Sequence, residues 1–201
     1  MLTQQFRGGL TGIFMQSNSS IGTLTNDGTI AGTASQGIWI DSGTVGDLTN
    51  NTDGDIVGGS NGFLLTANSS LTGALTNKGS ITGTGNNGIY IDNSTVADLT
   101  NDTNAEIVGA SIGVSLASGA DITGTLTNNG RITGTSDEGI YIYNSSVTNL
   151  TNNDNGIIEG GSNGILIDGI SSITGALTNK GSITGTSNAG LFIENSTVAN
   201  L

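Results

Sequence analysis

The tripeptide Leu-Thr-Asn returns at Leu24, Leu48, Leu75, Leu99, Leu126, Leu150 and Leu177, and the steps between these positions alternate strictly between 24 and 27 residues. Few folds tolerate such spacing. Each step holds one coil, two coils make a 51-residue unit, and Leu24, Leu75, Leu126 and Leu177 mark equivalent points in successive units. No unit of this size can bury its own apolar face, whereas stacked units share one continuous core, which is the organisation of a solenoid.

The residues between the leucines are registered too. Asn follows at the second position after each Leu (Asn26, Asn50, Asn77, Asn101, Asn128, Asn152, Asn179), and an Ile comes next (Ile30, Ile56, Ile81, Ile107, Ile132, Ile158, Ile183). A Gly stands two residues past each Ile, and a second Gly opens an alternating triplet such as Gly88-Ile89-Tyr90-Ile91. A further apolar position (Val45, Leu71, Val96, Ile122, Val147, Ile173, Val198) leads back to the next Leu. Apolar residues spaced by two read as strands with one buried face, and the Gly, Asn, Asp and Ser clusters between them read as turns. No stretch carries a helical period.

These short strands and bends predict an all-β chain: a parallel β-helix (β-solenoid) of about eight coils, each with three or four faces and each rising by about 4.8 Å. The aliphatic columns form a thin core along a rod of roughly 35 to 40 Å. The recurring Asn is expected to stack as an amide ladder in a bend. The recurring Gly is expected to supply backbone angles that other residues avoid.

Composition narrows the function classes. The chain has 34 Gly, no Pro, no Cys, no His and a formal charge of -12. Without cysteine there is no disulfide or thiolate-metal chemistry, and without histidine the commonest general base and metal ligand is missing. With Arg7, Lys78, Arg131 and Lys180 as its only cations, the acidic surface repels phosphate backbones, so nucleic acid is not an expected partner. No apolar run approaches the length of a membrane span, and Met1 to Arg7 lacks the apolar stretch of a secretory signal.

Phe6, Gly8, Gly12, Ile13, Met15 and Ile21 fall on the later columns, and Leu2-Thr3-Gln4 reads as a degenerate Leu-Thr-Asn. The sequence therefore opens at the head of a coil and reaches the head of another at Leu201. On this reading residues 1–201 are one β-helix domain, uncapped at both ends. That implies either a segment of a longer protein or a subunit that stacks head to tail into a filament.

The string Leu-Thr-Asn-x-Gly-x-Ile-x-Gly, as in Leu75 to Gly83, followed by Gly-Ile-Tyr-Ile, resembles the repeat of bacterial autotransporter passenger domains and related haemagglutinin-like surface β-helices. The likeness runs from about Leu2 to Leu201. It implies a secreted, extracellular surface protein of an outer-membrane system, an adhesin acting in adhesion, aggregation or biofilm contacts and carried by an outer-membrane barrel.

The strongest candidate surface is the middle position of each apolar triplet, which points outward because side chains alternate along a strand. It is occupied by Phe14, Trp39, Leu64, Tyr90, Ser115, Tyr141, Leu166 and Phe192, with Tyr143 two residues beyond Tyr141. Three readings are open for this column. It is a structural stack of rings along a sheet face; a docking stripe for another protein or a second rod; or a platform for glycans, with rings about 9.6 Å apart in alternate coils.

Other columns are weaker. The Thr after each Leu forms a regular array of the kind seen in ice-binding solenoids, but its neighbours Asp27, Asn51, Lys78 and Asp102 are mixed, and β-propensity accounts for it. Asp41, Asp92 and Glu194 share a column with Tyr143, and Asp53-Gly54-Asp55 and Asn104-Ala105-Glu106 offer oxygens in bends. Solvated charge, calcium ligation and glycoside hydrolysis are the readings of these acids, and the first is preferred because nothing in the sequence roofs a cleft. Neither a metal nor an organic cofactor is expected. Asn-x-Ser/Thr sequons occur at Asn18, Asn50, Asn68, Asn93, Asn101, Asn144, Asn149 and Asn195, a number that chance in so Asn-, Ser- and Thr-rich a chain nearly supplies. Regular columns with no irregular insertion do not gather unlike catalytic groups, so the chain is read as no enzyme.

Overall fold

The computed structural model describes residues 5–201. The degenerate Leu2-Thr3-Gln4 motif lies outside the described residues. The first coil is built from strands β1 (Gln5–Gly8), β2 (Ile13–Met15) and β3 (Ser20–Asn26), and the second from β4 (Thr29–Gly32), β5 (Ile38–Asp41) and β6 (Thr44–Asn50). The same three strands recur in every coil, so the chain winds three parallel sheets of eight strands each. The coil therefore has three faces. Among the described residues there is no helix, and none long and apolar enough to cross a membrane.

The columns read from the sequence are ladder partners. Leu75 pairs with Leu48 on one side and Leu99 on the other in the third sheet. Ile81 pairs with Ile56 and Ile107 in the first, and Ile89 with Phe63 and Val114 in the second. All of these side chains are buried, with Ile81, Ile89, Leu75 and Leu99 at 0% exposure. Each contributes on the order of 1.5–3 kcal/mol by leaving water, and only because the coils above and below close the core. Phe6, Gly8, Ile13, Met15 and Ile21 take their assigned columns, opposite Ile30, Gly32, Ile38, Ile40 and Val45.

The longer step is spread around the coil. Asn50 is followed by Asp55 at the start of the next strand, whereas Asn26 is followed by Thr29. The corner after the third sheet is therefore wider in alternate coils. A further residue enters the corner between Thr66 and Ser70, another enters the eight-residue strand Ser70–Asn77, where the register against the seven-residue strands shifts as a β-bulge, and the corner from Gly58 to Phe63 is one residue shorter than that from Gly32 to Ile38. The inward columns stay aligned throughout, because a one-residue slip would turn the whole core face outward.

The Asn column is a ladder. The Asn26 amide donates to Asn50 Oδ1 at 2.8 Å, and the pattern continues through Asn77, Asn101 and Asn128 to Asn152 and Asn179, each step at 2.8 to 2.9 Å. Each amide also bonds backbone carbonyls around the corner, as Asn101 does to Ala105 in its own coil and to Arg131 in the next. Glycine earns its place for a different reason from the one the sequence suggested. Among glycines only Gly119 and Gly169 have positive φ. A Cβ on Gly83 would lie 1.9 Å from the carbonyl oxygen of Asn87, so this column marks a corner too tight for any side chain.

Candidate functional site

The second sheet carries the stripe. Its ladder pairs Phe14 with Trp39, Trp39 with Leu64, Leu64 with Tyr90, Tyr90 with Ser115, Ser115 with Tyr141, Tyr141 with Leu166 and Leu166 with Phe192, an unbroken column. The outward direction holds, but continuous exposure does not. Leu64 is only 7% exposed and Ser115 only 4%, while Trp39, Tyr90, Tyr141 and Leu166 are half-buried and Phe14 and Phe192 are 45% and 40% exposed. The expectation of an open apolar position at Leu64 is therefore corrected. At a strand spacing of about 4.8 Å, the large rings on either side close over the smaller residue between them.

The rings are also held from within. Phe14 and Trp39 stack with centroids 4.5 Å apart, close to the strand spacing, so their faces turn along the rod axis and their edges turn to solvent. The Trp39 indole N–H donates to Thr66 Oγ1 at 3.1 Å. Tyr141 stacks on Tyr143, its neighbour two residues along the strand, at 5.8 Å. A flat sugar ring needs an open aromatic face, and these contacts occupy one face each of Phe14, Trp39, Tyr141 and Tyr143.

Beside the rings runs a second outward column. Asp41 pairs with Thr66, Asp92 and Tyr143 flank Ala117, and Tyr143 pairs with Asp168; the Glu194 amide extends the ladder by donating to the Ile167 carbonyl. Asp41, Asp92, Asp168 and Glu194 thus line one edge of the ring stripe. Burial raises the pKa of the Tyr90 phenol, and the negative charge of Asp92 raises it further. The Tyr141 phenol is raised mainly by burial, then by Asp168, Tyr143 and Glu138. Both phenols remain neutral hydrogen-bond donors through the physiological range. Glu138, at the corner leading into this sheet, is also raised, chiefly by burial and also by Asp137, against the stabilising amide of Asn163 at 3.2 Å.

The remaining candidates disperse. Asp55 and Glu106 line a shallow open groove at the wide corner together with Asp102 and Lys78, so the bend acids have a cation among them. Asp41 and Asp92 lie two coils apart on an open face with no wall to desolvate either. The Thr column after each Leu is in register and half-buried along the third sheet, except for exposed Thr25.

The sequons divide by place. Asn50 and Asn101 are buried in the ladder. Asn18, Asn68, Asn93, Asn144 and Asn195 are exposed, and all have left-handed backbone, with φ between 46° and 61°. Asn tolerates that conformation better than other residues with a Cβ, which explains its presence there.

Behind them lies a second polar ladder that the sequence reading passed over. The Ser69 hydroxyl accepts from the Gly43 amide and shares its one hydrogen between the Thr66 carbonyl at 2.5 Å and the Ile40 carbonyl at 3.2 Å, and Ser171 does the same two units further on, accepting from Ser145 and sharing its hydrogen between Asp168 and Ile142. The signal was present as Ser at the same phase in Ser69, Ser94, Ser145, Ser171 and Ser196. Asn for the turn, Ser for the ladder and Ser or Thr to start the strand together produce the sequon pattern without any sugar. At the corner between the first and second sheets Asn61 Oδ1 accepts from the Asn87 backbone amide, the next position at this phase is Ile112, and Asn87 Oδ1 is buried without a partner.

A scan against protein-family models, a search of curated proteins and a search of solved structures each returned no match.

Proposed function

We propose that this chain is a non-enzymatic structural and adhesive rod of a bacterial surface protein, working outside the cell in adhesion, aggregation or biofilm contacts. The observation that carries the reading is the outward column of the second sheet, continuous in register from Phe14 to Phe192, whose rings are half-buried or exposed while Leu64 and Ser115 are covered between them. Inward positions are dictated by packing, but the outward middle of a strand accepts many residues. Rings recurring there at Trp39, Tyr90, Tyr141 and Phe192 point to selection for contact as well as for stacking. A rigid rod suits the task, because its stacked coils hold the stripe in one line without hinges.

The test uses beads coated with the purified chain, scored for clumping and for retention on protein-coated and glycan-coated surfaces. Retention that disappears in a folded Tyr90→Ser/Tyr141→Ser variant is the expected result. Equal retention by that variant would overturn the role of the stripe. Incubation with a panel of glycans checks the enzymatic side: cleavage abolished by Asp92→Asn would replace this reading with that of a hydrolase.

A further inference from the structure

The coil places the chain's charges unevenly. Arg7 and Arg131 lie on strands of the first sheet, while Lys78 and Lys180 lie in the corner just before it. All four cations therefore lie away from the second sheet, and two of them have acids close by. Arg131 is paired with Glu159, and Lys78 shares its groove with Asp55, Asp102 and Glu106. The second sheet carries the opposite pattern: a half-buried ring column, a parallel column holding Asp41, Asp92, Asp168 and Glu194, and no cation on any strand.

We infer that this face docks an extended basic peptide segment, lying along the rod axis in polyproline II conformation, with a Lys or Arg at every third residue. The inference rests on the adhesive reading of the same face and names the partner's chemistry. A second copy of this chain does not fit, since its net charge is also -12, it carries only four cations, and two of them, Lys78 and Arg131, already stand beside carboxylates. A neutral glycan is the less favoured occupant because stacking takes one face each of Phe14, Trp39, Tyr141 and Tyr143 and because it brings no charge to the acidic border.

The spacing selects the peptide's form. Rings recur in alternate coils, about 9.6 Å apart. A polyproline II helix advances about 9.3 Å per three-residue turn, whereas same-side residues of an extended β-strand repeat at about 6.8 Å. Every third side chain of a polyproline II segment therefore keeps step with successive ring-bearing coils. Its basic groups come into step with Asp41, Asp92 and Glu194, which lie in the coils of Trp39, Tyr90 and Phe192, whereas Asp168 lies one coil out of phase beside Leu166; its prolines or stems pack on ring edges. The neutral Tyr90 and Tyr141 hydroxyls face the same ligand as additional polar groups.

The experiment measures fluorescence anisotropy with a labelled four-repeat Pro-Pro-Lys peptide, in low salt and in physiological salt. The controls are a peptide of the same residues in block order, a Pro-Pro-Glu peptide and an amine-bearing oligosaccharide. Preference for the in-step peptide is expected, with a loss of about ten-fold in Asp41→Asn/Asp92→Asn/Glu194→Gln, and little change in the equally neutralised Asp55→Asn/Asp102→Asn/Glu106→Gln. Equal binding of the block peptide, equal loss in the two triple variants, or tighter binding of the oligosaccharide would each overturn the inference. If Tyr90→Ser/Tyr141→Ser abolishes bead retention while the first triple variant leaves peptide binding unchanged, the basic-peptide inference fails and the adhesive reading stands. If the peptide binds as expected while coated beads adhere to nothing, the adhesive reading fails and the docking face stands.

Discussion

The Asn ladder and the ring column run the same length of the same rod, yet they answer to different constraints. The ladder occupies a closed corner, where Asn50, Asn77, Asn101, Asn128 and Asn152 are buried at 0% and each amide is bonded to the coil above, the coil below and its own turn. No other residue supplies a donor and an acceptor of that shape, so the position does not vary. The ring column lies on an open sheet face and alternates among Phe, Trp, Leu, Tyr and Ser. Ser115, between Tyr90 and Tyr141, shows that the face accepts a small residue where the corner accepts none but Asn. What recurs in the corner is explained by the fold; what recurs on the face asks for a further cause.

The largest expected effect comes from the core that both columns enclose. Ile81→Asp places an unpaired charge at a site with no exposure, and it is expected to cost more than about 4 kcal/mol and to abolish or severely lower the cooperative thermal transition seen by circular dichroism. Asn101→Ala comes next. It leaves Asn128 Oδ1 without its donor and takes one of three acceptors from Asn77 Nδ2, which keeps the Gly79 and Glu106 carbonyls, for a loss of about 2 kcal/mol in denaturant unfolding. Ser171→Ala is milder, about 1 kcal/mol, because Ala120 already stands in the same column and shows that the corner closes without a hydroxyl.

The tyrosines sharpen the contrast through pH. Each phenol's folded-state pKa is raised, so the stability it supports is whole below the unfolded range near about 10 and declines as pH climbs from there through the folded values. A melting series at increasing pH should show this decline in the wild type and a flatter profile in Tyr90→Phe/Tyr141→Phe. A profile identical in both would remove the tyrosines from the account.

Much of the fold was legible because a solenoid writes each contact many times. The Leu, Ile and Asn columns could be aligned by spacing alone, and the ladder pairs Leu75 with Leu99 as that alignment requires. Three features were not legible. The role of the column glycines was misjudged because spacing does not distinguish a left-handed residue from one pressed against a carbonyl, as Gly83 is. The Ser69 and Ser171 ladder was hidden inside sequons and turn composition. The closure over Leu64 depends on the volume of Trp39 and Tyr90 in adjacent coils, which alternation along one strand does not reveal. The stripe itself was visible as residues, whereas its stacking and its acidic border emerged only once the coils were set side by side.

The claim that the corner serves the fold while the face serves contact is tested most directly by one paired measurement on Tyr90→Ser/Tyr141→Ser: its thermal unfolding and the retention of beads coated with it. The account predicts a folded rod, destabilised by no more than about 1–2 kcal/mol, whose beads no longer adhere. A folded variant whose beads adhere as the wild type's do would contradict it and leave the rings as a stack that serves only the sheet.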